Sequence, residues 1–312
     1  MTAFKSSAIF KKPLFKNIYA ARYIYLLLIP GLAYYIVFRY FPIYGITLAF
    51  KQFKANLGII GSPFIGLQNY RFVFRDPYFF RALKNTFIIS LERIIFQFPV
   101  PIILALLLNE IKSGKFKKVL QTIFTFPNFI SWVIVAGIVV NLLASDGAVN
   151  GILRVFGFEP INFLTDSKIF LPMLYVSYNW KVAGWSCIIY LSAIMGISMD
   201  QYDSALIDGA NRLQKIIYIT LPGIKSTISV MFILAIGNIM NAGFDQVFNM
   251  YNPGVYEIAD ILDTYIYRVT FSGPTDFGFS TAIGLFKSVI NFTLLIICDR
   301  IVKALGENGL FY

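Results

Sequence analysis

Six long apolar runs set the pattern of this chain: residues 23–41, 87–108, 119–144, 170–197, 224–244 and 281–302. Each comes close to or exceeds the ~20 residues that a helix needs to cross the hydrocarbon core of a bilayer. A backbone in lipid must satisfy its own hydrogen bonds, and a helix does so within one segment. The pattern therefore predicts an all-α integral membrane protein with six transmembrane helices. Residues 1–22 read as a basic N-terminal segment, 42–86 as an external loop, 87–302 as a transmembrane core and 303–312 as a tail.

One polar interval interrupts the core. Within residues 198–226, Ser198-Met199-Asp200-Gln201 has the S-x-x-Q form of a capping box, and Asp200 and Asp203 lie near the N-terminus of the helix it would start. Leu206, Ala210, Leu213 and Ile217 recur at spacings of four, three and four, one apolar stripe, while Asp208, Arg212 and Lys215 point elsewhere. Gly209 splits the helix and Pro222 ends it. Two short helices in a bent arrangement, presenting a small apolar face outside the membrane, are expected.

Composition agrees with a bilayer setting, since 57% hydrophobic and only 14% charged residues are far from a soluble average. With the N-terminus placed in the cytoplasm, the inner side, including Lys112, Lys115, Lys117 and Lys118, carries more Lys and Arg than the outer. Both termini and the 198–226 interval then face the cytoplasm, while Asp245, Glu257, Asp260, Asp263 and Asp276 surround one external loop. The net charge of +11 sits at cytoplasmic membrane edges rather than on one soluble face, so nucleic acid is not expected as a partner. Residues 23–41 lack a small-residue cleavage site and are expected to remain as a span.

Chemistry is sparse. The chain has no histidine and neither a G-x-S-x-G nor a Walker-type phosphate loop, so no catalytic residue is assigned and any ATP must be bound by another subunit. Cys187 and Cys298 are isolated in or beside spans, with no spacing for a metal, and read as packing residues. Asp260 and Asp263 lie in a stretch whose Ile258, Ile261, Leu262, Tyr265 and Ile266 read as an amphipathic helix. A solvated charged face is expected there rather than a catalytic pair.

The interval 198–226 resembles a family. The pattern E-A-A-x-x-D-G-A, continuing to I-x-L-P, marks the cytoplasmic loop of ATP-binding-cassette importer permeases, and Asp203, Ser204, Ala205, Asp208, Gly209, Ala210, Ile219, Leu221 and Pro222 occupy its positions. Asp203 and Ser204 depart from the usual Glu-Ala, and Ser226 stands where a second proline is common. Residues 75–87 resemble the segment that opens the transmembrane core of sugar-type permeases, and 244–268 are similar to the external loop of the LplB-like subgroup, which handles complex oligosaccharides. Tyr251-Asn252-Pro253-Gly254 replaces the T-x-G-G-P of maltose-type relatives. The resemblance implies a type I importer permease fold with a coupling helix in a bacterial cytoplasmic membrane. It implies as partners a second homologous permease, two cytoplasmic ATPase subunits that bind ATP and Mg, and an extracytoplasmic solute-binding protein, with a glycan as cargo. Asp203, Ser204, Ala205, Asp208, Gly209, Ala210, Leu221 and Pro222 would couple to the ATPase.

Polar groups inside spans carry the remaining information. Lys181 would cost ~2.5–3.5 kcal/mol at a helix centre, offsetting about six leucines. Around it stand Tyr178, Asn179, Trp180 and Trp185, an amide and aromatic set suited either to sugar rings or to an interfacial belt. Aligned on the signature loop, Tyr178, Lys181 and Trp185 fall near path-lining positions of maltose-type relatives. Asn238 and Asn241, three apart on one helix face, would line the path or join helices, with Gly237 and Gly243 permitting close approach. Lys181 points to an acidic sugar such as a uronic-acid oligosaccharide. Arg39, Glu92, Arg93 and Lys287 carry no readable role; the adjacent Glu92 and Arg93 need separate partners. A permease for another solute class shares the same loop, whereas an ion-coupled transporter needs more mid-depth carboxylates than Glu92 alone.

Overall fold

Helices account for every named element among the described residues; Lys51 and Phe64 form an isolated antiparallel bridge. A computed structural model describes residues 21–272, 276–306 and 309–311. The basic positions Lys5, Lys11, Lys12 and Lys16 lie outside the described residues. The main elements are α1 (Arg22–Phe50), α2 (Pro77–Asn109), α3 (Gly114–Thr125), α4 (Trp132–Val155), α5 (Ser167–Met195), α6 (Met199–Ile207), α7 (Arg212–Gly223), α8 (Lys225–Gly237), α9 (Phe244–Met250), α10 (Leu262–Phe271) and α11 (Phe277–Ala304). By length and composition α1, α2, α4 and α11 suffice to cross a membrane. Two bent pairs, α5 with α6 at 70° and α7 with α8 at 63°, bring the possible number to six.

Local chemistry starts these helices where polar residues meet apolar runs. Asp76 accepts from the Tyr78 amide at 2.8 Å just before Pro77, and Asp166 accepts from the Lys168 amide at 2.8 Å to open α5. Ser131 opens α4 and Asp276 opens α11 in the same way. Such caps satisfy amides that the first turn leaves without a partner, and proline at the first helical position gives up nothing.

Two apolar runs are not single helices. Residues 119–144 break after α3, where Pro127 sits in a short 3-10 turn, Phe126–Phe129, before α4 restarts at Trp132. Residues 224–244 end as helix at Gly237; the chain then turns irregularly through 238–242 before Gly243, at φ +79°, opens α9. The Met240 amide freed by this unwinding donates to Asn291 Oδ1 of α11 at 3.0 Å.

The first part of α1 buries no residue; only its end, with Leu48 and Ala49, packs on the rest of the chain. Along α5 two buried clusters form. Phe170, Met173 and Leu174 pack with Ile89 of α2 and Val247 and Met250 of α9, whereas Cys187, Tyr190, Leu191 and Ile194 pack with Ala105 and Leu108 of α2. Cys187 and Cys298 are buried and unpaired.

The stretch containing Asp260 and Asp263 corrects the expectation of a solvated face. Asp260 is fully buried, accepts from Arg268 Nη1 and Nη2 at 3.0 and 2.5 Å and from Thr264 Oγ1 at 2.9 Å, and faces Arg81 at 3.9 Å. These bonds raise the Arg268 pKa above its usual value, against the opposing effect of burial. Asp263 pairs with Lys287 of α11 at 2.6 Å. Neighbouring Asn85 and Thr86 on α2 bind the backbone at 257, 260 and 262, so this stretch is fastened to the bundle instead of facing water. The predicted continuous helix is split into Tyr256–Ala259 and α10.

Candidate functional site

A cavity of about 320 Å³ opens between α2, α5 and the unwound end of α8. It occupies the part of α5 that lies between the two buried clusters. Four residues singled out from sequence meet there: Tyr178, Asn179, Asn238 and Asn241. The two asparagines are joined by a turn rather than by a helix face, since the Asn241 amide donates to the Asn238 carbonyl at 2.8 Å and Asn241 Nδ2 to Asn238 Oδ1 at 3.2 Å. Irregular backbone at membrane depth is tolerated where it lines a cavity. Of the two glycines expected to permit close approach, Gly237 abuts Leu295 of α11 and Gly243 abuts the Arg93 guanidinium.

Lys181, Trp180 and Trp185 are not on the cavity wall. Lys181 is buried and donates to the carbonyls of Pro127 at 3.3 Å, Asn128 at 2.8 Å and Ile130 at 2.6 Å, with its ammonium 5.5 Å from the Trp132 ring centroid. It therefore serves the carbonyls released by the break between α3 and α4. Trp180 and Trp185 are half exposed on the outside of α5, Trp185 edge-on to Phe129 at 5.7 Å. Removing the ammonium with Lys181→Met leaves the Asn128 and Ile130 carbonyls without this donor, while the Pro127 carbonyl keeps the Ile130 amide at 3.2 Å. At ~1–3 kcal/mol for each buried unsatisfied group, thermal stability in detergent should fall by about 2 kcal/mol or more. An unchanged melting midpoint would show that the break holds without it.

Ser90, Arg93 and Gln97 of α2 complete the polar wall. Sequence reasoning left Arg93 without a role and did not single out Ser90 or Gln97, although spacings of three and four in the apolar run 87–108 were the available signal. Arg93 reaches across the bundle to Gln246 Oε1 at 2.5 Å, and its guanidinium stands 4.6 Å from the Tyr178 ring centroid, which in turn stacks on Trp132 at 6.0 Å. The adjacent Glu92 is taken by the Tyr175 hydroxyl, so the two neighbouring charges have separate partners, as their helical positions require. Lys287 has its partner in Asp263.

The polar interval forms a hairpin of α6 and α7. Ser198 caps α6 through the Asp200 amide at 3.3 Å, and the complete capping box stands instead at Asn211 and Gln214, which exchange side-chain to backbone bonds of 2.9 and 2.7 Å. Gly209, at φ +74°, donates to the Leu206 carbonyl, and the Ala210 amide reaches the Ala205 carbonyl at 2.9 Å. These paired bonds close the end of α6 in a left-handed turn that favours glycine. Across the hairpin, the Tyr202 and Thr220 hydroxyls bond at 2.9 Å.

Asp203, Ser204, Asp208 and Gly209 are exposed, Ala205, Ala210 and Leu221 half-buried, and Pro222 exposed in the last turn of α7. The predicted stripe is uncovered at Leu206, Leu213 and Ile217, and Ile207 and Tyr218 are 87% and 75% exposed beside it. So much apolar surface on a short polar hairpin is the mark of an interaction face.

The sequence matches the family model described as binding-protein-dependent transport system inner membrane component over residues 97–307. It is 41% identical over 302 residues to the polygalacturonan/rhamnogalacturonan transport system permease protein YteP of Bacillus subtilis (strain 168), covering 96% of this chain and 94% of that one. Protein LplB of the same organism is 40% identical over 291 residues, or 93% of this chain and 91% of LplB. Among solved structures, a chain of a bacterial alginate ABC transporter, in complex with alginate pentasaccharide-bound periplasmic protein, superposes with a TM-score of 0.87. It is 37% identical and the match covers 96% of this chain and all of that chain.

Proposed function

The chain belongs to the family of binding-protein-dependent transport system inner membrane components, and from that premise we propose that it is the permease subunit of an ABC importer whose cargo is an acidic oligosaccharide. The observation that carries this reading is the cavity between α2, α5 and residues 238–242, whose amides, aromatic ring and guanidinium suit a hydroxylated, anionic ligand. Its volume lies at the small end of ligand sites, enough for a short stretch of a longer glycan. The relatives' own cargoes, polygalacturonan and alginate by their names, are acidic polymers.

The remaining parts of the reading are those that membership of the importer-permease family implies. Six crossings result when α5 and α8 are each counted as one span, with α6 and α7 projecting into the cytoplasm and both termini on that side. The exposed face around Leu206, Ile207, Leu213 and Tyr218 docks in a groove of an ATPase subunit, and Asp203, Ser204, Ala205, Asp208, Gly209, Ala210, Leu221 and Pro222 shape it. ATP and Mg bind to the paired ATPase subunits, because this chain has no phosphate loop. Closure of those subunits moves the hairpin, and this permease and a homologous partner rock between inward-open and outward-open states. An extracytoplasmic binding protein delivers the glycan.

Proteoliposomes holding the complete transporter, supplied with the binding protein and internal ATP, test the reading. A labelled oligogalacturonide should accumulate inside, and accumulation should stop without ATP. Accumulation of an unrelated amino acid or phosphate instead, with no glycan taken up, would overturn it.

A further inference from the structure

Five buried side-chain polar atoms lack a hydrogen-bond partner among the described residues, and three of them belong to one face of α2: Ser90 Oγ, Arg93 Nε and Gln97 Nε2. All three residues line the cavity. A buried donor left without a partner costs ~1–3 kcal/mol, so three at successive positions of one face form a set awaiting a ligand rather than a scattered defect.

Arg93 stands apart from the other interior cations. Arg268 has Asp260, Lys287 has Asp263, and Lys181 has three carbonyls. Arg93 is only 8% exposed and has no carboxylate within ion-pair distance among the described residues; its hydrogen bond runs from Nη2 to a neutral amide. That amide is itself fixed, because Gln246 Nε2 donates to the Leu174 carbonyl at 2.7 Å and to Ser177 Oγ at 2.8 Å, turning Oε1 toward Arg93. The Tyr178 ring and Gly243 bound the guanidinium on other sides. A planar cation is thus held in one orientation at a cavity wall with its charge uncompensated. A guanidinium matches a carboxylate with two parallel, charge-assisted bonds.

We propose that Arg93 recognises the carboxylate of a uronic-acid unit in the cavity, with Ser90 and Gln97 hydrogen-bonding the sugar hydroxyls beside it. The proposal rests on the acidic-glycan reading and moves its cationic determinant from Lys181 to Arg93.

The test uses the assembled transporter in detergent without its binding protein, so that only the membrane cavity selects. Trigalacturonate and its methyl ester, which has the same hydroxyls and no charge, are titrated calorimetrically. The wild type should favour the acid by roughly 10- to 100-fold, the range for a charged hydrogen bond. Arg93→Gln should abolish that preference, lowering affinity for the acid far more than for the ester, and Arg93→Lys should retain part of it. Ser90→Ala and Gln97→Ala should weaken acid and ester alike. A preference that survives Arg93→Gln, or an equal loss for acid and ester, overturns the proposal and leaves Arg93 a packing residue. A wild type that binds both probes equally overturns it while glycan import stands. A wild type that neither binds nor imports them removes the acidic-glycan reading and the proposal together.

Discussion

Gly209→Pro is expected to reduce substrate-stimulated ATP hydrolysis of the reconstituted transporter to its unstimulated level while the chain still inserts in the membrane. Gly209 sits at φ +74°, and its amide donates to the Leu206 carbonyl at 3.1 Å. Proline fixes φ near −65° and has no amide hydrogen, so the turn between α6 and α7 has to open. The bend it sets joins α6, which exposes Leu206 and Ile207, to α7, which exposes Leu213 and Tyr218. A graded series separates geometry from general damage: Asn tolerates the left-handed region, whereas Ala there costs roughly 1–2 kcal/mol. Coupling should therefore fall in the order Gly, Asn, Ala, Pro. Normal stimulation in the proline variant would remove the hairpin from the coupling route.

That hairpin was readable in advance because its determinants are local. A left-handed glycine and a proline act within a turn of themselves, and the expected pair of bent helices is present. Even so, the capping box belongs to Asn211 and Gln214 rather than to Ser198 and Gln201. Ser198 and Asn211 each cap their own helix, and whether the reciprocal pair of bonds closes depends on the backbone geometry at that helix start.

The apolar runs were readable as membrane material but not as elements. Hydropathy averages over ~20 residues, so it passes across Pro127 and across the unwound 238–242, where the chain leaves the helix for a few residues. Both breaks survive because distant groups meet the freed backbone: Lys181 for the first, Asn291 for the second. These contacts span 53, 51 and 51 residues, which no local pattern reveals. For that reason Lys181 looked like a ligand-binding cation. Arg93 stood out only as a costly charge that needs a partner other than the adjacent Glu92, which bonds Tyr175. The asparagines at 238 and 241 were found with the correct proximity and the wrong secondary structure.

Gly243→Ala should damage the protein far more than one methyl group suggests. A β-carbon built at Gly243 lies 2.0 Å from Arg93 Nη1 and 2.8 Å from its Cζ and Nη2. Long side chains usually yield to such contacts, yet this guanidinium is buried and bonded to Gln246. The variant therefore bears two costs, about 1–2 kcal/mol for a non-glycine residue at φ +79° and the displacement of Arg93 from its amide partner. In an Arg93→Ala background only the first remains. A double-mutant cycle on thermal stability should then show a coupling of roughly 1 kcal/mol or more, as contacting residues do. Gly243→Ala alone should also lose the preference for trigalacturonate over its ester, though Arg93 is still present in the chain. Strictly additive stabilities with the preference intact would mean that the guanidinium has another resting place, and that its orientation is not what Gly243 protects.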